Sequence, residues 1–163
     1  MVNGRAKGKR GEREVARLLE EYWGRLEPGC KFKSTPLSGG WSSPDVREAF
    51  KTSGDLVTTA KLFPYVVEVK LRESWSLKNL VEGKPCPVWG WWEQAIKAAK
   101  EQKGIPMLWF RKNRWPWRIM IPESFFIRLG KLPVEIEWKQ KLPTDWQPLV
   151  ILASDFLKDG PND

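Results

Sequence analysis

Apolar residues recur along this chain in two rhythms, and the switches between them mark its elements. From Glu12 to Arg25, Val15, Leu18, Leu19 and Tyr22 fall three and four residues apart with charges between them, which predicts a one-sided helix. Gly24 and the Pro28-Gly29 pair end it. Cys30 to Thr35 predicts a short first strand, and Pro36 to Thr52, which holds Ser38-Gly39-Gly40, predicts a long loop of the kind that carries function. Two strands follow near Asp55 to Thr59 and Tyr65 to Leu71, joined by a turn around Leu62-Phe63-Pro64. After a Pro- and Gly-containing loop, Trp91 to Lys103 predicts a second helix with Trp92, Ala95, Ile96 and Ala99 inward and Gly104 as its stop. Ile105 to Phe110 and Trp117 to Ile121 predict a hairpin through Asn113. The remainder, from Pro122, holds short elements, including a helix from Ser154 to Lys158 capped by Ser154. The order α-β-β-β-α-β-β predicts an α/β fold, a mixed five-stranded central sheet flanked by helices.

A length of 163 residues suits a single domain, with a basic, flexible arm over residues 1–10 and a C-terminal extension over 122–163. The net charge of +8 and pI near 9.6 point to an anionic partner, nucleic acid by default. No apolar run reaches the ~20 residues of a membrane span and the N-terminus lacks a signal-peptide core, so a cytosolic or host-cytosolic location is expected. Histidine is absent, which excludes His-metal nucleases, Ser-His hydrolases and His-based phosphoryl transfer. Its absence, with sparse Asn, Gln, Met and Cys and abundant Pro, is a thermophile-like bias. Cys30 and Cys86 have no metal-ligand spacing and read as reduced thiols. Most of the eleven tryptophans are expected to fill a core or a dimer interface, with base stacking the alternative.

The candidate chemistry lies in Ser53-Gly54-Asp55-Leu56-Val57 and, thirteen residues after the Asp, Glu68-Val69-Lys70. Strand alternation puts Glu68 and Lys70 on one face roughly 7 Å apart, with Val67 and Val69 on the other. Two carboxylates with room for water and phosphate suit Mg²⁺ better than zinc or calcium. Pro44-Asp45 competes with Gly54-Asp55 for the first acid, but Val46 to Phe50 lacks strand alternation whereas Leu56-Val57-Thr58-Thr59 has it.

Lys7-Gly8-Lys9-Arg10-Gly11-Glu12-Arg13-Glu14 resembles the Lys-Gly-x-x-x-Glu-Arg-Glu opening of archaeal-type Holliday junction resolvases, a branch of the PD-(D/E)XK nuclease superfamily. Gly54-Asp55-Leu56-Val57 and Glu68-Val69-Lys70 match its two later motifs in order and spacing, and the resemblance runs from about residue 7 to 121. It implies a Mg²⁺-dependent endonuclease, with Mn²⁺ able to substitute, that resolves four-way DNA junctions as a homodimer with two active sites. It makes Glu12 the helix carboxylate assisting the metal, Asp55 the bridging ligand, Glu68 the second ligand and Lys70 the group near the attacking water. The Val69 carbonyl is a further ligand in that superfamily, and Ser38 sits in a loop like its serine-containing loop, though longer.

Simpler roles stand beside these. Glu68 and Lys70 alone would be a surface ion pair worth under ~1 kcal/mol, and Glu12 a first-turn acid favoured by the helix dipole. Lys7, Lys9, Arg10 and Arg13 are either a solubilising tail or a phosphate clamp, the latter favoured beside a nuclease helix, with Arg72 a further nucleic-acid contact. Gln94 either touches the site or has an exposed or capping role. The alternatives to a resolvase are a same-fold nuclease for flaps, nicks or linear ends in phage or mobile-element DNA, and a DNA-binding protein with a decayed site; an RNA-processing nuclease is less favoured.

Overall fold

The computed structural model describes residues 4–35, 51–128 and 146–158. Helix α1 (Gly4–Trp23) begins about two turns before the apolar spacing does. Lys, Arg and Ala favour helix, and Lys7 and Lys9 find partners, so residues 4–10 are helical where a flexible arm was expected. The face of α1 bearing Val15, Leu19 and Tyr22 is buried as its spacing predicts. Its polar face is also used. Glu20 accepts the Phe32 N–H at 3.0 Å, and past the helix end Glu27 accepts the N–H groups of Lys61 and Leu62 at 2.8 and 3.0 Å.

The strands are β1 (Phe32–Ser34), β2 (Lys51–Ser53), β3 (Leu56–Thr58), β4 (Tyr65–Leu71), β5 (Ile105–Arg111), β6 (Arg118–Pro122) and β7 (Pro148–Leu152). The helices after α1 are α2 (Leu77–Val81), α3 (Pro87–Glu101), α4 (Glu123–Arg128) and α5 (Ala153–Lys158). The described residues therefore hold more strands than the five expected, and they form two sheets. A three-stranded antiparallel sheet runs β1-β3-β2, and a four-stranded mixed sheet runs β4-β5-β6-β7 with β4 and β5 parallel. They meet at a bridge between Gly54 and Val67.

The alternation of β4 sets the layers. Val67, Val69 and Leu71 pack with Val15 and Leu19 of α1 and with Trp109 and Ile119. The opposite face of the sheet buries Leu108, Phe110 and Met120 against Val88, Trp92 and Ala95 of α3. Helix α3 starts at Pro87, a turn earlier than expected, because proline is well suited to the first helical position. Two features of the C-terminal region differ from expectation. Strand β7 pairs with β6, and Ser154 lies inside α5 rather than capping it. Most described tryptophans are core or half-buried, and Trp92 and Trp109 are fully buried, so those supply packing, as the core reading expects.

Candidate active site

The first acid is placed by a tight reversal. Ser53 pairs with Leu56 across the hairpin of β2 and β3, so Gly54 and Asp55 are its two-residue loop. Gly54 has φ +72°, the conformation such loops reserve for glycine. A Cβ on Gly54 would stand 2.2 Å from the Val67 carbonyl oxygen, so glycine also permits the approach to β4. That approach is sealed by two hydrogen bonds. The Asp55 N–H donates to the Val67 carbonyl at 2.7 Å, and the Val69 N–H donates to Asp55 Oδ2 at 2.8 Å. N–H and C=O of one strand residue point to the same side, so the Val69 carbonyl also faces the Asp55 edge.

The register of β4 puts Glu68 opposite Leu108 and Lys70 opposite Phe110, on the face covered by α3. As the edge of its four-stranded sheet, β4 leaves both side chains only partly covered, and Lys70 Nζ lies 2.5 Å from Glu68 Oε1. Glu12 comes from α1, whose close approach to β4 is made at Gly11: a Cβ there would touch Leu71 and Trp117 side chains at 3.4 Å. Lys9 Nζ contacts Glu12 Oε2 at 2.6 Å, Ser34 Oγ at 2.9 Å and the Thr35 carbonyl at 2.6 Å, while Ser34 Oγ donates to the same Glu12 oxygen.

These groups share one electrostatic environment centred on Asp55. Burial pushes the Asp55 carboxyl up to about 6, and the negative charges of Glu68 and Glu12 add to the rise. The Val69 N–H and the Lys70 ammonium oppose it. Glu12, Glu68 and Lys70 thus lie close enough for their charges to act on Asp55. Among the described residues no group of three or more His, Cys, Asp or Glu side chains is placed to hold a metal ion. The donors present are hard oxygens from Asp55, Glu68 and the Val69 carbonyl, and an Asp55 anion disfavoured by its neighbours is one that a cation would relieve. This donor set fits an oxygen-preferring divalent ion that keeps water in its shell.

The remaining expected site residues fall differently. Lys7 pairs with Glu73, and Lys9 is committed to Glu12, so neither ammonium is free for phosphate in this arrangement. Arg10 donates to Asn113 Oδ1 at 3.1 Å. Arg13 is exposed and, with Lys9, Arg17 and Lys33, lines a groove of ≈ 630 Å³ between α1 and β1. Arg72 is exposed at the end of β4. Ser38 and Asp45 lie outside the described residues. Gln94 is exposed on α3; the glutamine that reaches the site is Gln102, whose Oε1 accepts the Gly54 N–H at 3.2 Å. Sequence offered no signal for Gln102. For Ser34 there was one, its place two residues after Phe32, on the same inward face of the strand. Glu14 is taken up by other partners, accepting from Arg111 at 2.5 Å and from the Trp117 indole N–H at 3.1 Å.

The family described as "Phage putative PDDEXK endonuclease" matches residues 3–142. "Protein D14" of Escherichia phage T5 is 27% identical over 127 residues, 76% of this chain and 73% of that protein. Among solved structures, the chain is similar to Hjc, a Holliday junction resolvase from the archaeal hyperthermophile Archaeoglobus fulgidus, at 17% identity and a TM-score of 0.37, covering 90% of this chain and 89% of the other. That likeness is too distant for any correspondence of residues.

Proposed function

The chain belongs to the phage putative PDDEXK endonuclease family, and on that premise we propose that it is a Mg²⁺-dependent, structure-specific DNA endonuclease. Its substrate is a four-way junction, which it resolves by paired, symmetric nicks as a homodimer. The observation that carries the nuclease chemistry is the clamping of Asp55 onto β4 by the Val69 N–H, beside Glu68 and Lys70. Junction choice rests on the Lys7 to Glu14 motif and on symmetry, since a four-way junction offers two equivalent phosphates to a twofold dimer.

A divalent cation at this oxygen set would supply Lewis acidity toward the scissile phosphate and a more acidic water. Asp55 and Glu68 present its oxygens, and the backbone bonds around Asp55 fix their spacing before substrate arrives. Lys70 holds a positive charge where the phosphate gains negative charge in the transition state. Glu12 keeps one orientation because Lys9 and Ser34 both bind the same carboxylate oxygen. Mn²⁺ is expected to replace Mg²⁺. No helix among the described residues is long and apolar enough to cross a membrane, and we place the protein in the cytoplasm of its host.

The test is cleavage of a labelled four-way junction, a flap and a linear duplex, in Mg²⁺ and in EDTA. Paired nicks confined to the junction support the proposal. Metal-dependent cutting of flaps or duplex instead would replace the junction with another substrate on the same site, and binding without cutting in any metal would reject the enzyme. A monomer by sedimentation at micromolar concentration would count against paired cutting.

A further inference from the structure

The hairpin joining β5 to β6 carries Lys112, Asn113, Arg114, Trp115 and Pro116. Trp115 is the exposed tryptophan among the described residues, with 39% of its surface open. Its ring stands edge-on to Trp75 at 6.0 Å, and Lys112 and Arg118 lie over it at 5.2 and 5.4 Å. The same two cations reach Trp75 at 5.6 and 6.0 Å. Among the described residues no carboxylate forms a salt bridge with Lys112, Arg114 or Arg118. Arg118 Nη1 is buried with no hydrogen-bond partner, a costly state for a guanidinium unless an acceptor arrives. Arg114 holds φ +64° at the third position of the β-turn closed by the Trp115 N–H and the Lys112 carbonyl, which leaves its side chain exposed at the tip.

The hairpin also stands at the right end of the molecule. Lys70 is opposite Phe110 in the parallel register, so the tip lies roughly 10–15 Å beyond Lys70 at ~3.3 Å per strand residue. Asn113 ties it to the site helix, accepting from Arg10 and donating its N–H to Glu73, which also binds Lys7. A base stacked at the tip would therefore sit about three to four nucleotides from the phosphate being cut, at ~3.4 Å per step along one strand.

We infer that the β5–β6 tip is a DNA-contacting element in which Trp115 stacks on a base left unpaired at a branch point while Lys112, Arg114 and Arg118 hold the adjoining phosphates. An exposed indole framed by cations without a salt bridge among the described residues, Glu73 being the acid near Lys112, is the arrangement that single-stranded nucleic acid binds, since every base presents a face and every step a charge. This inference rests on the reading of the protein as a DNA nuclease but not on its choice of junctions. It adds a contact outside the metal site that distinguishes branched from fully paired DNA.

The experiment uses the full chain in EDTA, where no cutting occurs, and measures anisotropy with a four-way junction, a flap and a fully paired duplex. A 2-aminopurine is placed beside the branch of the first two. Trp115→Ala is expected to weaken both branched ligands about tenfold and the duplex less than twofold, and to abolish the quenching of the 2-aminopurine. Trp115→Phe retains a stacking ring and is expected to restore most of both signals, with melting curves showing that each variant folds. Unchanged affinity for branched DNA in Trp115→Ala overturns the inference. So does an equal loss on all three ligands, or a lowered sedimentation coefficient, which would make the tip a contact between copies. The nick pattern in Mg²⁺ tests the junction reading separately: flap cutting with normal stacking signals would remove the junction and leave the tip's role intact.

Discussion

Two chain reversals frame the working end of this molecule, and both contain a residue with positive φ. At Gly54-Asp55 the residue is glycine at +72°; at the β5–β6 tip it is Arg114 at +64°. The first turn is pressed against β4, where any Cβ would meet the Val67 carbonyl, and its neighbour Asp55 is held by backbone bonds on both sides. The second is open to solvent at Asn113 to Pro116 and carries an exposed arginine and an exposed indole. Closed space dictates glycine in one and leaves the identity of the other free. At Arg114 the left-handed φ serves the β-turn closed by the Trp115 N–H donating to the Lys112 carbonyl at 3.2 Å, and solvent rather than a neighbouring strand surrounds it.

The sharpest way to break the comparison is Gly54→Ala. The 2.2 Å clash and the strained φ should destabilise the protein by at least about 3 kcal/mol and eliminate cleavage, whereas Arg114→Ala should cost under ~1 kcal/mol. Urea denaturation of the two variants makes the contrast, and similar costs would refute it.

Asp55→Asn comes next. The Asp55 carboxyl titrates near 6 in the fold against 3.8 for an ordinary aspartate. The folded chain thus keeps a proton that the unfolded chain has released, and metal-free stability falls as pH rises through that interval, by up to about 3 kcal/mol once pH exceeds 6. Asn has no such cost, so the variant should lose all cutting, keep DNA binding, and be more stable than the parent at pH 8 but not at pH 3. Thermal melts across pH in EDTA measure this; a parent whose stability rises between pH 4 and 6 relative to Asp55→Asn would contradict the assigned shift. The same linkage predicts that Mg²⁺ raises the melting temperature more at pH 7 than at pH 5.

Gln102→Ala removes the acceptor for the Gly54 N–H from the C-terminal end of α3. It should cost about 1 kcal/mol and reduce cleavage more than DNA binding. Smallest in stability is Arg114→Gly, which relieves the left-handed strain while loosening the unfolded chain, for a net change within ~1 kcal/mol. Its effect should show instead in the salt dependence of DNA binding, whose slope falls by about one.

The parts of the fold read from sequence were those written in local periodicity. The buried face of α1, the whole of β4 and the inner face of α3 carry apolar residues at helical or strand spacing, and each was found where that spacing put it. Strand β2 was missed because Lys51-Thr52-Ser53 has no apolar member, and β7 because it pairs with β6 across a long stretch of intervening chain. The site followed the same rule. Asp55, Glu68 and Lys70 were legible because hairpin and strand positions fix them locally, while the commitment of Lys9 to Glu12 and Ser34 depends on α1 meeting β1. Lys7 and Lys9 looked like free charge in sequence, and only the tertiary structure supplies Glu73 and Glu12 as their partners.

The proposed metal ligands straddle a joint between two sheets, Asp55 coming from the hairpin loop of one and Glu68 and Val69 from the edge strand of the other. The joint's two amide protons, on Asp55 and Val69, lie between Val67, Asp55 and Val69 and belong to neither sheet's own ladder. If the joint opens more readily than the sheets unravel, those two amides should exchange with deuterium earlier than their neighbours in β4 and β5, and added cation should slow them first. Isotope exchange at two positions would then time the assembly of the centre, residue by residue, without DNA or catalysis.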